Sequence, residues 1–324
     1  MSINASLLEV LQCPACRGRL SEIRDGLLCN SCAREYSVSG GIPDMTFLGP
    51  GTADDDLNRI QALHESAVHD QMAESRYEEQ IVRIYGTKTR LLAQSWADRI
   101  AKMPQPIRVL DYGCGTGQVS RVIGQYCRPL FAADISAASV KKNVADNGVL
   151  GCVANGLYLP FKDHAFDVVC LSGVLHHILD LDRAAGEITR VSGNFIFVSD
   201  IMPGSTPAFG RAWGYPGALP KLLYGTWAVL WLTNAAARKL GRKALAGLGL
   251  PKPARAGVPS RYEKPIAAET AEKLFLDNGF IRERLRYWTN LRFPGDHILK
   301  RWATLALANE TIGTHFEFVF RRKL

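Results

Sequence analysis

Val109-Leu110-Asp111-Tyr112-Gly113-Cys114-Gly115-Thr116-Gly117 is the stretch on which the fold turns. Ile107–Asp111 reads as a short buried strand that ends on an acid. Glycines then alternate with other residues, and a helical pattern follows. A strand that enters a glycine turn and leaves as a helix opens a βαβ unit. The alternation continues downstream. Leu130–Asp134, Phe166–Leu171 and Asn194–Asp200 read as further strands, with Gly117–Gln125, Ser136–Asn147 and Leu181–Val191 as the helices between them. Such units in series are right-handed and predict a parallel sheet. Ligands in these sheets sit at the carboxyl ends of the strands, beside the first strand. The functional residues are expected there.

A bare glycine turn is weak evidence, because several kinds of nucleotide-binding loop carry one. Two acids sharpen it. Asp111 stands directly before the turn, where a carboxylate is awkward for a pyrophosphate but useful near an ammonium or sulfonium group. Asp134 ends the next strand, 17 residues after Gly117. An acid there can accept hydrogen bonds from both hydroxyls of a ribose. The GxGxG spacing and Asp111 argue against a nicotinamide dinucleotide.

Cysteines mark a second region. Cys13-Pro14-Ala15-Cys16 and Cys29-Asn30-Ser31-Cys32 are two CxxC pairs with 12 residues between them. Two such knuckles place four thiolates around one Zn²⁺. A segment this small builds no core of its own, so the metal supplies much of its folding free energy. Four cysteines leave no open position, which makes the zinc structural. A redox pair or chance thiols would explain two matched pairs poorly. Met1–Leu11 shows no basic n-region and no apolar h-region, so a reducing, cytoplasmic setting is expected.

These motifs in order resemble the class I S-adenosylmethionine-dependent methyltransferases, within the subgroup that holds quinone-biosynthesis and natural-product enzymes. The resemblance covers about residues 70–200, and more loosely 265–324. The turn Asp111, Gly113, Cys114, Gly115, Gly117 looks like the family's first motif, and Asp134 with Ile135 like its ribose-binding end. Asn155-Gly156-Leu157 looks like the adenine-covering loop, with Asn155 where the family often has Asp. Ser172 follows the Phe166–Leu171 run, and Val174-Leu175-His176-His177-Ile178 comes after it as in the family. Tyr77 falls in the helical region that folds over the methionine end in that family. Arg190-Val191-Ser192-Gly193-Asn194 departs from the family's Pro-Gly-Gly turn. Leu7–Pro14, Tyr36 and Gly41-Ile42-Pro43 resemble the small zinc-ribbon proteins that accompany methyltransferases. The resemblance implies S-adenosylmethionine and structural zinc as cofactors.

The implied fold is α/β: a doubly wound, seven-stranded, mostly parallel sheet with a zinc ribbon and a helical lid insertion. Five blocks follow: 1–50 ribbon, 51–103 helical cap, 104–201 cofactor-binding core, 202–264 insertion, and 265–324 closing helix and strand hairpin. Within the last, Ala267–Asn278 reads as a helix stopped by Gly279, and Phe280–Trp288 pairs with Thr314–Arg321. Candidates for a base are His176, His177 and Asp200, with Asp200 equally suited to capping. His64, His69, His164, His297 and His315 show no partner pattern and read as surface or packing residues.

The charge is uneven. The chain of 324 residues is 47% hydrophobic and 22% charged, which excludes a disordered chain, a collagen-like repeat and a polytopic membrane protein. Its net charge of +8 divides into −4 over residues 1–200 and +12 over residues 201–324, and Ile201 to Tyr262 hold no Asp or Glu. A positive field favours an anionic partner. Leu222–Ala237 is uncharged but shorter than the roughly 20 residues a membrane span needs. Three readings stay open for the insertion: a lid over an apolar pocket, a contact with an anionic membrane surface, or a packed helix with a basic tail. The favoured acceptor is a small apolar, anionic or lipid-like molecule. An RNA base methyltransferase and a catalytically silent binding module are the alternatives, nucleic acid being the weaker partner because no RNA-binding module is visible.

Overall fold

The computed structural model describes residues 3–52, 55–75, 77–203, 264–288 and 314–323, with Trp302 and Leu305; for residues 77–85 it describes the backbone alone. The lid insertion, including Leu222–Ala237, lies outside the described residues. Among the described residues no helix is long and apolar enough to cross a membrane.

The N-terminal region consists of α1 (Ala5–Val10) and a four-stranded antiparallel sheet of β1 (Leu20–Ile23), β2 (Gly26–Cys29), β3 (Glu35–Ser39) and β4 (Ile42–Pro43). Two helices follow, α2 (Asp56–Glu74) and α3 (Tyr77–Ile100). The helical cap is therefore not continuous: the chain turns extended at Ser75, which ends α2.

The core contains β5 (Val109–Tyr112), α4 (Ser120–Ile123), β6 (Leu130–Asp134), α5 (Ala137–Asn147), β7 (Leu150–Val153), β8 (Phe166–Ser172), α6 (Leu181–Val191) and β9 (Ser192–Ile201). It closes with α7 (Ala268–Asp277), β10 (Phe280–Trp288) and β11 (His315–Arg322). The seven strands lie in the order β10-β11-β9-β8-β5-β6-β7. The five from β5 to β9 are parallel; β11 is antiparallel to both β9 and β10. The order reverses at β5, which pairs with β6 on one side and β8 on the other. That reversal opens a crevice above the strand ends.

Local chemistry accounts for most boundaries. Ser136 caps α5 by accepting from the Ser139 N–H at 3.0 Å, and Gly148 ends it in the left-handed region at φ +65°. Asp180 caps α6 in the same way through Arg183 N–H. Three expectations need correction. α4 is shorter than Gly117–Gln125, because turns occupy the residues after the glycines. β7 is a strand that the alternation does not predict: Gly151 weakens its β-type signal. α6 runs straight into β9, so Arg190–Asn194 forms no separate turn.

Each sheet face is covered. Leu92, Trp96 and Ile100 of α3, with Val122, Ile123 and Val140, bury one face. Ala185, Ile188 and Val191 of α6 and Ala271 and Phe275 of α7 bury the other. On that second face the β7–β8 connection, residues 154–165, carries no helix. The N-terminal region fills the gap. Leu7, Val10, Leu11, Leu27, Tyr36 and Met45 join the same apolar cluster as Leu110, Phe161 and Phe166. Backbone contacts seal it: Leu11 bridges Phe161, Gln12 N–H donates to Pro160 C=O at 2.8 Å, and Met45 N–H donates to Val153 C=O at 2.9 Å.

Phe316, Phe318 and Phe320 of β11 share one buried face, as their alternation predicts. The opposite face carries Glu317, fully buried, which accepts from the Trp96 indole at 3.1 Å and the Trp288 indole at 2.6 Å. Replacing Glu317 by Ala strands two buried N–H groups, at about 1–3 kcal/mol each. A fall in Tm of about 5–10 °C is expected by calorimetry, and a smaller one for Glu317→Gln.

Candidate active site

A cavity of about 500 Å³ opens at the switch between β5 and β8. Its floor is the glycine turn. Gly113 sits at φ +65°, and a Cβ there would press on the Val174 side chain. Gly115 sits at φ +48°, and a Cβ there would meet nothing within 4 Å, so the turn leaves an open cradle. Gly117 does not line the cavity; it packs against Asn143 of α5. Cys114 lines the cavity edge but is itself buried.

Asp134 stands at the end of β6 and lines the cavity, as Ile135 does. Its Oδ2 accepts from Gly115 N–H at 2.8 Å and its Oδ1 from Ser136 N–H at 2.9 Å. One acid thus ties the glycine turn to the start of α5. A carboxylate oxygen has two lone pairs, so each still has one for a ligand hydroxyl. Asp111 lies deeper and is buried. It accepts from the Ser120 hydroxyl at 2.6 Å. Burial pushes its carboxyl up to about 7; the Ser120 hydroxyl opposes this, and Asp134 adds to it.

Asn155, Gly156 and Leu157 form another wall. The Asn155 amide is largely spent within the protein. Its Nδ2 donates to Phe47 C=O at 3.0 Å, and its Oδ1 accepts from Leu157 N–H at 3.1 Å. The expected contact from Asn155 Oδ1 to adenine would need its remaining lone pair. Beneath Gly156 the Tyr112 hydroxyl is buried and, among the described residues, has no hydrogen-bond partner. An orphan hydroxyl under the cavity wall, an open glycine cradle and an acid with spare lone pairs suit a nucleoside with a cationic tail.

Ser172 lines the cavity at the end of β8, before the 3-10 turn Leu175–His177. Asp200, a base candidate, is buried beneath that turn and does not reach the cavity. Its Oδ2 accepts from Leu175 N–H at 2.7 Å and Val174 N–H at 3.1 Å; its Oδ1 accepts from Ile201 N–H and meets His176 Nδ1, both at 2.6 Å. Burial alone would raise this carboxyl, but the His176 ring and these donors hold it below the usual carboxylate range. Asp200 therefore positions His176, which does line the cavity.

α2 lies across the cavity. Asp70 accepts from Ser136 hydroxyl at 2.7 Å and Ala138 N–H at 2.9 Å. About two and a half turns upstream, Gln61 Nε2 donates to His177 C=O and Gln61 Oε1 accepts from Leu179 N–H at 3.1 Å. Between them Glu65 meets His177 Nδ1 at 3.1 Å and His69 Nε2 at 3.5 Å. Burial, with the charge of His176, lowers the His177 pKa. His69 is thus no isolated surface residue, and His315 also lines the cavity. The Tyr77 side chain lies outside the described residues.

Lys88 is a further cavity residue. It sits on α3, only 5% exposed. Burial pulls its ammonium down to about 8, while Asp200 and Glu317 act through space to raise it. Among the described residues no carboxylate lies within ion-pair distance. Nothing in its local sequence marks it: a lysine on a helix normally faces solvent.

The four N-terminal cysteines converge. Cys13 Sγ lies 3.7 Å from Cys32 Sγ, and Cys16 Sγ lies 3.4 Å from Cys29 Sγ. Thiolates about 2.3 Å from a tetrahedral zinc would stand about 3.8 Å apart. Ser31 N–H donates to Cys29 Sγ at 3.4 Å, and the Tyr36 hydroxyl meets Cys13 Sγ at 3.1 Å. The set forms a zinc-ribbon-like site whose donors fit structural Zn²⁺.

Strand order, glycine cradle and strand-end acid together define a class I S-adenosylmethionine-dependent methyltransferase fold, joined to a ribbon. Comparison with known proteins agrees. Residues 110–196 match the family described as a methyltransferase domain, and residues 4–41 match that described as Trm112p-like protein. Malonyl-[acyl-carrier protein] O-methyltransferase of Pectobacterium atrosepticum is 34% identical over 123 residues, which cover 35% of this chain and 47% of that protein. The ubiquinone/menaquinone biosynthesis C-methyltransferase of Vibrio campbellii is 37% identical over 95 residues, 26% of this chain and 36% of that protein. The chain thus spans less than half the length of these curated relatives. Magnesium protoporphyrin IX methyltransferase from Synechocystis, solved with bound SAH, shares the fold at TM-score 0.50 and 15% identity, covering 81% of this chain and all of that one.

Proposed function

We propose that this chain transfers a methyl group from S-adenosylmethionine to a small acceptor that bears an anionic group. The observation that carries the reading is Asp134, whose two oxygens are oriented at the cavity mouth by Gly115 and Ser136 N–H groups. Asp134 would grip the ribose, the Gly113–Gly115 cradle would receive the methionine end, and Asp111 beneath it would face the cationic centre. Residues 155–157 would cover the base. The bound cofactor supplies an electrophilic methyl. The protein's task is then to hold an acceptor in line with it and keep water out.

Lys88 supports the anionic acceptor. A buried ammonium without a direct counter-ion is costly unless a ligand completes it. One relative is named for O-methylation of a malonyl group, which agrees with an acceptor of this charge. His176, held by Asp200, would take a proton from an acceptor hydroxyl or amine.

Calorimetry with S-adenosylmethionine, followed by methyl-transfer assays on a panel of small carboxylic acids, phosphate esters and phenols, tests the reading. Absence of cofactor binding would sink it. For an acceptor from that panel, Lys88→Met is expected to raise KM about 10- to 100-fold, the worth of one charge-assisted hydrogen bond. Cofactor affinity should stay within a few-fold. Lys88 is charged below its pKa of about 8 and neutral above, so acceptor capture should weaken as pH rises through that value. An equal loss of cofactor and acceptor binding would show that Lys88 serves the fold instead.

A further inference from the structure

We propose that Glu65, His69 and His177 form a site for a divalent first-row transition ion at the wall of the cavity. Glu65 and His69 are four residues apart on α2, so they share one face of the helix. His177 comes from a different element, the turn after β8. The donor atoms of the three residues all lie within 4.8 Å of one another. Both imidazoles converge on the same carboxylate oxygen, Oε2, at 3.1 and 3.5 Å. Ligands about 2.1 Å from a metal stand about 3.0 Å apart in an octahedron and about 3.4 Å in a tetrahedron. The observed 3.1 and 3.5 Å fall close to those values.

The arrangement is held by groups other than the ligands. Gln61, one turn before Glu65, clamps the backbone of His177 and Leu179 to α2. Asp70, one residue past His69, fixes the far end of α2 on Ser136 and Ala138. Glu65 itself is buried. Two nitrogens and one oxygen select a borderline ion such as Zn²⁺, Co²⁺ or Fe²⁺ over the hard Ca²⁺ and Mg²⁺. Three protein ligands leave coordination positions open. All three side chains line the cavity, so an open position is available to an oxygen anion within it. Binding of the ion stands on this geometry alone. Its use in holding an acceptor oxygen rests on the methyl-transfer reading.

The test uses the full chain with its ribbon zinc in place, dialysed against Co²⁺. Metal analysis should find one zinc and one cobalt per chain, with weak visible bands of a nitrogen–oxygen site and no thiolate charge-transfer band. His69→Ala and Glu65→Gln should each keep the zinc and lose the cobalt, with Tm measured to show that both fold. Glu65→Gln leaves a polar partner between the imidazoles, so it separates loss of metal from loss of packing. Failure of the unaltered chain to take up the second ion, or full uptake by both variants, overturns the site. Calorimetry with S-adenosylmethionine on the same samples tells the two readings apart. Cofactor binding without cobalt uptake sinks the metal site alone.

Discussion

Asp134→Ala is expected to weaken S-adenosylmethionine binding by about 10²- to 10⁴-fold. Two hydrogen bonds from ribose hydroxyls to a carboxylate contribute roughly 1.5–3 kcal/mol each. A second loss adds to the first. The same carboxylate accepts from Gly115 and Ser136 N–H groups, so its removal also releases the glycine turn from the start of α5. Asp134→Asn should recover little, because an amide presents a donor to one of those N–H groups. Titration calorimetry with S-adenosylmethionine reads both variants. Affinity unchanged by Asp134→Ala would place the nucleoside somewhere other than β6.

Removal of the ribbon zinc should destabilise the methyltransferase domain itself. The described residues on either side of the insertion form one compact unit with the N-terminal region. Leu7, Val10, Leu11, Leu27, Tyr36 and Met45 cover the sheet face that the β7–β8 connection leaves bare. Each fully buried apolar side chain contributes about 1.5–3 kcal/mol, so release of several exceeds 5 kcal/mol. A strong chelator, or Cys29→Ser, should lower Tm by more than about 10 °C. It should also weaken cofactor binding, because Phe47 C=O holds the Asn155 amide in the cavity wall. Differential scanning calorimetry with and without chelator checks the first effect, and calorimetric titration the second. A metal-free chain that melts at the same temperature would show that the thiols carry no structural ion.

Some of this was legible in the chain and some was not. Leu130–Asp134 and Leu181–Val191 match their observed ends, because apolar runs there are bounded by an acid and a cap. The four cysteines declared themselves by spacing, since each knuckle is local. The apolar run of β7 is interrupted by Gly151, so local patterning does not mark it as a strand. Sequence position alone suits Asp200 equally to a base or a cap; its burial against four backbone N–H groups makes it a positioning group.

The alternation of strand and helix, the glycine turn, the two acids and the paired thiols all follow from neighbours within a few residues. Local periodicity and turn chemistry were enough to specify them. Other features depend on segments far apart in sequence meeting in space. α2 docks Glu65 and His69 on His177, more than 100 residues away, and α3 delivers Lys88 into the same cavity. The ribbon substitutes for a missing helix on the sheet. Helix docking and face covering depend on which apolar surfaces remain unburied once the sheet has formed, and short-range patterning carries no record of that.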